Sequence, residues 1–144
     1  MALIDWNTRL LTGQATMDRD HQKITGLIND MAESVLRNKD KRLCDAILRD
    51  IVHRTEAHFA MEAKLMDHHH YPRAEEHKAH HELLMHDLLT FKSWYDAGST
   101  PQFGSVLAFL EGWWTHHIVW SDKELAEFIS PHAAPDRAAV QPHA

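Results

Sequence analysis

His58-Phe59-Ala60-Met61-Glu62, followed by Leu65-Met66, Tyr71-Pro72, and then His77 and His81, sets two pairs of metal-type ligands on either side of a chain reversal. Residues four apart are offset by only about 40° around an α-helix, so His58 shares a face with Glu62, and His77 with His81. Pro72 interrupts the first helix and suits the first turn of the next. Glu62 and His58 lie 10 and 14 residues before Pro72, and His77 and His81 lie 5 and 9 after it. At a rise of roughly 1.5 Å per residue, the two pairs reach the same height in an antiparallel helix pair.

The same reading extends outward in both directions. Upstream, Asp18 is the expected N-cap of a helix in which Ile24, Leu27, Ile28, Met31 and Val35 follow helical spacing. Asn38-Lys39-Asp40 makes a short connection with Asp40 as the next N-cap, and helix two carries Leu43, Ile47, Ile51, His58, Glu62 and Leu65. Helix three places His77, His81, Leu84, Leu88, Phe91 and Tyr95 in steps of four and three, a bundle-seam pattern. Gly98, Thr100 and Pro101 then supply a C′ glycine, an N-cap and an N1 proline. Helix four is expected to bury Phe103, Val106, Leu110, Trp113 and His117 and to stop before Pro131. The expected architecture is all-α: an up-down-up-down antiparallel four-helix bundle over residues 1–130, with helices at about 18–38, 40–70, 72–96 and 101–129. An N-terminal arm precedes it, and the tail at 131–144 reads as disordered.

Two further counts agree with the first. His81 is 15 residues before Asp96 and His117 is 16 after Pro101; His21 is 17 before Asn38 and His58 is 18 after Asp40. His21, His58, Glu62, His77, His81, His117 and Asp122 therefore fall at one level. Asp122 is the awkward member. Five residues beyond His117, it sits about 140° around an ideal helix, so it joins only if the helix is locally distorted or rotated, or if its side chain spans from the neighbouring stripe. A lone buried histidine is more often a satisfied core residue than a ligand. Seven ionisable groups at one height are different, because burying them uncompensated is very costly. A two-metal centre removes that cost, with neutral imidazoles as donors and carboxylates that cancel cation charge and bridge. Imidazole-rich sites suit iron, copper, zinc or nickel; bridging carboxylates favour iron, and spacing alone does not choose.

Composition narrows the function further. The 144 residues are enough for one domain with its own core. A net charge of -6, with charges interspersed, argues against nucleic acid or an anionic membrane as partner. Cys44 is the single cysteine, which excludes an internal disulfide and suits a reducing compartment. The N-terminal Met-Ala-Leu-Ile-Asp-Trp-Asn has neither a basic region nor an apolar run, so no signal peptide is expected. No stretch is long and apolar enough to span a bilayer. The expectation is a cytoplasmic monomer.

Over roughly residues 6–125 the chain resembles the hemerythrin family, in its single-domain bacterial branch. The residues that carry the resemblance are Trp6, Met17-Asp18-Arg19-Asp20-His21, His58 to Glu62, Leu65-Met66, Tyr71-Pro72, His77, His81, Trp113 and the run His117-Ile118-Val119-Trp120-Ser121-Asp122. The family uses the five-residue spacing of His117 and Asp122. The resemblance implies a non-haem di-iron site, with His77, His81 and His117 on one iron and His21 and His58 on the other. Glu62 and Asp122 would bridge, together with an oxo or hydroxo group. The iron with two histidines would then keep an open position for dioxygen, with Ile24, Phe59, Trp113 and Ile118 as candidate oxygen-pocket lining. Ordinary core packing explains those four equally well. Arg54 stands where relatives often carry tyrosine, Asp20 where glutamine is common, and Ala63 where a second glutamate is usual. Trp114 is a bulkier pocket neighbour than the family pattern leads one to expect.

The leading function is therefore reversible dioxygen binding for storage, transport or delivery, without enzymatic turnover, and the expected partners are dioxygen and an oxygen-consuming protein. A peroxide-reducing or oxidising di-iron enzyme is the alternative, but the Glu-x-x-His pairs of carboxylate-rich oxidases are absent. An oxygen or redox sensor is a third reading; it normally needs an output domain, for which this length leaves no room. Metal buffering would require accessible ligands. His68-His69-His70 closes helix two, where polar groups suit the dipole, and reads as surface. His80 and His116 lie one position off the ligand stripe, and His53, His86, His132 and His143 join no constellation.

Overall fold

Gln14 caps the first long helix, four residues before Asp18, the cap that the spacing predicts. The computed structural model describes residues 3–37, 40–98 and 103–130, excluding the side chains of 103–107. Its helices are α1 (Ala15–Leu36), α2 (Lys41–His68), α3 (Ala74–Asp96), α4 (Phe103–His116) and α5 (Lys123–Ile129). A π-helical turn, His117–Asp122, joins α4 to α5 as one continuous rod, since the residues on both sides of it are helical. Helix α1 packs on α2 and on α4, and α2 packs on α3. Trp113 Nε1 links α4 to α3 by donating to the Leu84 carbonyl at 3.1 Å. The fold is the antiparallel four-helix bundle, all-α, with no strand among the described residues.

Asp18 is not the cap. The Gln14 side chain caps α1 by accepting from the Met17 amide. Asp18 instead accepts from the Thr12 amide at 2.8 Å, the Thr12 hydroxyl at 2.7 Å and the Gly13 amide at 3.1 Å. It thereby holds the end of the arm, where Gly13 takes φ 93, a conformation glycine adopts without steric cost. The arm itself is tied down: Ile4 and Asn29 exchange two hydrogen bonds, and Ile4 and Leu10 are core residues. Asp18→Ala is expected to cost about 1.5–3 kcal/mol, the range for hydrogen bonds to a charged group. Alanine at exposed Asp30 should stay within about 0.5 kcal/mol, both read from chemical denaturation.

Three other expectations shift. Helix α3 begins at Ala74 rather than Pro72, because Tyr71 to Arg73 are used in the reversal: the Tyr71 amide returns to Met66 O and the Ala74 amide to Tyr71 O. Helix α2 stops at His68, and His70 takes φ 53, outside any helix. On α2 the buried stripe runs through Cys44, Leu48, Ile51, Thr55, His58, Phe59, Glu62 and Met66; Leu43 is exposed. Thr100, Pro101, the side chains of Phe103 and Val106, and the tail at 131–144 lie outside the described residues.

Two apolar clusters fill the bundle. The larger holds Ile24, Ile28, Met31, Leu48, Ile51, Phe59, Leu84, Leu88, Leu110, Trp113, Trp114 and Ile118 among others. The smaller holds Met17, Met66, Tyr71, Leu125 and Ala126. Five of the seven candidate ligands fall between the two along the chain, with His58 and His117 bordering Phe59 and Ile118 of the larger: His21 lies between Met17 and Ile24, Glu62 between Phe59 and Met66, His77 and His81 between Tyr71 and Leu84. Asp122 likewise lies between Ile118 and Leu125. The polar layer is thus walled by hydrocarbon above and below.

Candidate metal centre

All seven sequence-predicted ligands are buried. Each helix presents them as its periodicity requires, with one exception. In an α-helix Asp122 would point well away from His117; the π turn closes hydrogen bonds over five residues and brings i and i+5 onto one face. His117 Nε2 consequently lies 3.0 Å from Asp122 Oδ2. Of the routes that the spacing left open, local distortion is the one taken, and it is this turn.

The five imidazoles all turn the same atom inward, Nε2. Glu62 divides its oxygens between two histidine groups: Oε2 lies 2.6 Å from His58 Nε2, while Oε1 lies 2.9 Å from His77 and 3.0 Å from His81. Asp122 does likewise, with Oδ2 at 2.7 Å from His21 and 3.4 Å from His58, and Oδ1 at 3.3 Å from His77. Two donor sets result, His21, His58, Glu62 and Asp122, and Glu62, His77, His81 and Asp122. Both carboxylates belong to both sets. His117 is in neither and joins through Asp122 Oδ2, with its ring centroid 5.3 Å from that of His81.

These atoms are close without being satisfied. Nε2 of His81 and of His117, Oε2 of Glu62 and Oδ1 of Asp122 have no hydrogen-bond partner by geometry, and His21 Nε2 faces His58 Nε2 at 3.2 Å. Nitrogens and carboxylate oxygens converging on shared points, only some of them paired by hydrogen bonds, are what a pair of cations would satisfy in full. The donor set fits imidazole-ligated transition metal, with carboxylates placed to bridge.

Without metal, the charges answer one another. Burial pushes the Asp122 carboxyl up, but His117, His21 and His58 beside it hold it well below the usual carboxylate range. Burial and the Asp122 charge likewise push Glu62 up, and His58 and His77 outweigh them and lower it. Burial lowers His58, yet hydrogen bonding to Asp122, Asp20 and Glu62 leaves it well above its ordinary value. His77 is opposed by burial in the same way and raised by Asp122 and Glu62 to about 9. His81, which faces only Glu62 of the two, is lowered by burial.

A pH dependence follows for the metal-free protein. The raised histidine contributes stability in full below 6.5, and this is lost as pH rises toward about 9. The lowered carboxylates contribute in full above 4.5, and this is lost as pH falls through their folded values. The metal-free melting temperature should peak between 4.5 and 6.5 and fall toward pH 9. Metal affinity should rise over that same alkaline span, since ligation needs unprotonated imidazoles. Thermal melts and metal titrations across pH read both; parallel curves would contradict the assignment.

Two neighbours were not evident from spacing. Asp20 Oδ2 lies 3.0 Å from His58 Nδ1. Trp114, fully buried, stands edge-on to His21 at 5.4 Å and lies 5.9 Å from His117, with its Nε1 donating to Thr25 Oγ1 at 2.8 Å. Adjacent Trp113 is turned toward Leu84 and Phe109. Ile24, Phe59 and Ile118 are buried, and Phe59 stacks on His81 at 3.8 Å. His80 is half-buried, 5.6 Å from the His117 ring; His53, His86 and His116 are exposed. Neither donor set includes His68, His69 or His70.

Fold and site together define a helical-bundle metal protein whose two donor sets share their carboxylates. The hemerythrin HHE cation-binding domain matches residues 12–129, and the chain belongs to the hemerythrin family. It is 25% identical over 132 residues to the bacteriohemerythrin of Stenotrophomonas maltophilia, covering 92% of this chain and 85% of that one. It is 29% identical over 119 residues to the bacteriohemerythrin of Pseudomonas aeruginosa strain PAO1, covering 82% and 76%. A solved crystal structure of a hemerythrin mutant superposes with a TM-score of 0.81 at 22% identity, over 90% of this chain and 99% of that one. Family and cluster together support a di-iron-binding protein. No helix among the described residues is long and apolar enough to cross a membrane.

Proposed function

We propose that the centre holds two iron ions and binds dioxygen reversibly, as a carrier for storage, transport or delivery rather than as an enzyme. The observation that carries this is the division of Glu62 and Asp122, each with oxygens facing both histidine groups. His77, His81 and His117 would hold one iron, His21 and His58 the other. Glu62 and Asp122 would bridge them along with an oxo or hydroxo group, as the family resemblance implies. When bound, the ferrous pair supplies an open position and electrons for dioxygen. The unequal histidine count would leave that position on the His21 and His58 side.

The chain's own contribution is a dry enclosure. Ile24, Phe59 and Ile118 are proposed as pocket lining, with Trp114, in place of Trp113, closing the wall against His21 and His117. Excluding water retards proton delivery and so favours release of dioxygen over its reduction. The functional unit is proposed as residues 1–130, a monomer of the cytoplasm that hands dioxygen to a consuming protein. Buried, unpaired Cys44 accords with a reducing compartment.

The test is a metal count and a visible spectrum on anaerobically reduced, iron-loaded protein, cycled through oxygen and its removal. A charge-transfer band that appears and disappears with oxygen, at two irons per chain, is expected. Immediate irreversible conversion to the ferric spectrum would replace the carrier with a redox sensor or an enzyme.

A further inference from the structure

We propose that Asp20 is the positioning residue for His58, and that its charge makes this imidazole an unusually strong donor to the metal it faces. The inference rests on the di-iron reading above. Asp20 Oδ2 lies 3.0 Å from His58 Nδ1, linking the first turns of α1 to the second half of α2. A ring nitrogen opposite a carboxylate carries the proton. Nδ1–H therefore donates to Asp20; Nε2, facing Glu62 and Asp122, shares a proton with them in the metal-free protein, and a metal displacing that proton would meet its lone pair. The Asp20 contact fixes the ring angle and, in the metal-bound form, the tautomer.

Two of the other ligand histidines lack this arrangement. Nδ1 of His21 and Nδ1 of His117 are buried with no hydrogen-bond partner. Of these three imidazoles only His58 has a carboxylate behind it. His58 is also on the side with fewer histidines, where the open position is proposed. Asp20 is not sealed in: it borders a cleft of about 100 Å³ with Lys23, Ile24, Arg54, Ala57 and His58. Its carboxylate is thus partly solvated while its other edge meets a fully enclosed ring.

A carboxylate hydrogen-bonded behind a metal-ligating histidine orients the ring and raises its basicity. A more basic donor stabilises the ferric ion over the ferrous. Asp20 therefore sets how readily the oxygen-binding position loses its ferrous form, and biases this chain toward the ferric one.

Asp20→Asn keeps size and an acceptor oxygen but removes the charge; Asp20→Ala removes the contact altogether. Both would be compared with wild type for iron content, for ferric/ferrous midpoint potential by spectroelectrochemistry, and for the rate of oxidation in air. Asp20→Asn is expected to keep its full iron complement, to show a more positive potential and to oxidise about ten-fold more slowly, within the range of outer-shell changes. Asp20→Ala is expected to weaken iron binding by about 10–100-fold. Wild-type potential and oxidation rate in Asp20→Asn overturn the proposal, and that variant carries the test even if Asp20→Ala does not fold. Wild-type protein that fails to hold two irons overturns the di-iron reading itself, a result distinguishable because it appears before any variant is made.

Discussion

Glu62→Ala is expected to take iron content from two per chain to nearly none. Its two oxygens face His58 on one side and His77 and His81 on the other, so one truncation removes a donor from both sets. Leaving His81 without a facing carboxylate, and His58 and His77 with one fewer, compounds the loss, since an unpaired buried polar group is far costlier than a missing surface contact. His77→Ala should also end stoichiometric loading, while His69→Ala, outside both sets, should leave it intact. Glu62→Gln keeps the volume and guards against simple misfolding, with helix content by circular dichroism as the control. Metal analysis after anaerobic loading decides; two irons retained in Glu62→Ala and His77→Ala would sink the ligand assignment.

The second large effect separates neighbouring tryptophans. Trp114 is fully buried, bonded to Thr25, and set against His21, His58 and His117, whereas Trp120 is 68% exposed. Trp114→Ala should cost about 3–5 kcal/mol, the range for an aromatic deleted from a core. For a chain of this size that lowers the melting temperature by roughly 10 °C or more. Trp120→Ala should stay within about 0.5 kcal/mol. The cavity left by Trp114 adjoins three imidazoles, so iron-loaded Trp114→Ala should also oxidise faster in air. Equal melting temperatures for the two variants would show that the buried indole contributes no more than the exposed one.

Height along a helix was readable from the chain, because rise per residue is constant and loops are short. That is why counting from Pro72, Asp96 and Asn38 brought seven residues to one layer. Azimuth was less readable wherever the backbone departs from 3.6 residues per turn. Asp122 depended on a π turn, which spacing could allow but not place. Adjacent residues of like character were ambiguous for a related reason: Leu43 and Cys44 can both continue the α2 stripe, and only packing selects Cys44. Trp113 and Trp114 are the same case. Asp18 misled because an acidic residue near a helix start can cap it or, as here, bind the loop before it. Asp20 was noted only as a departure from the family pattern; its contact with His58 spans two helices and leaves no local signature.

The ligand layer lies between two apolar clusters, not at an open end. Metal loss therefore cannot unravel this bundle as a rope frays. Each end keeps its own apolar cluster, so the turns that carry the ligands are expected to gain hydrogen exchange on metal removal before either end of the bundle does.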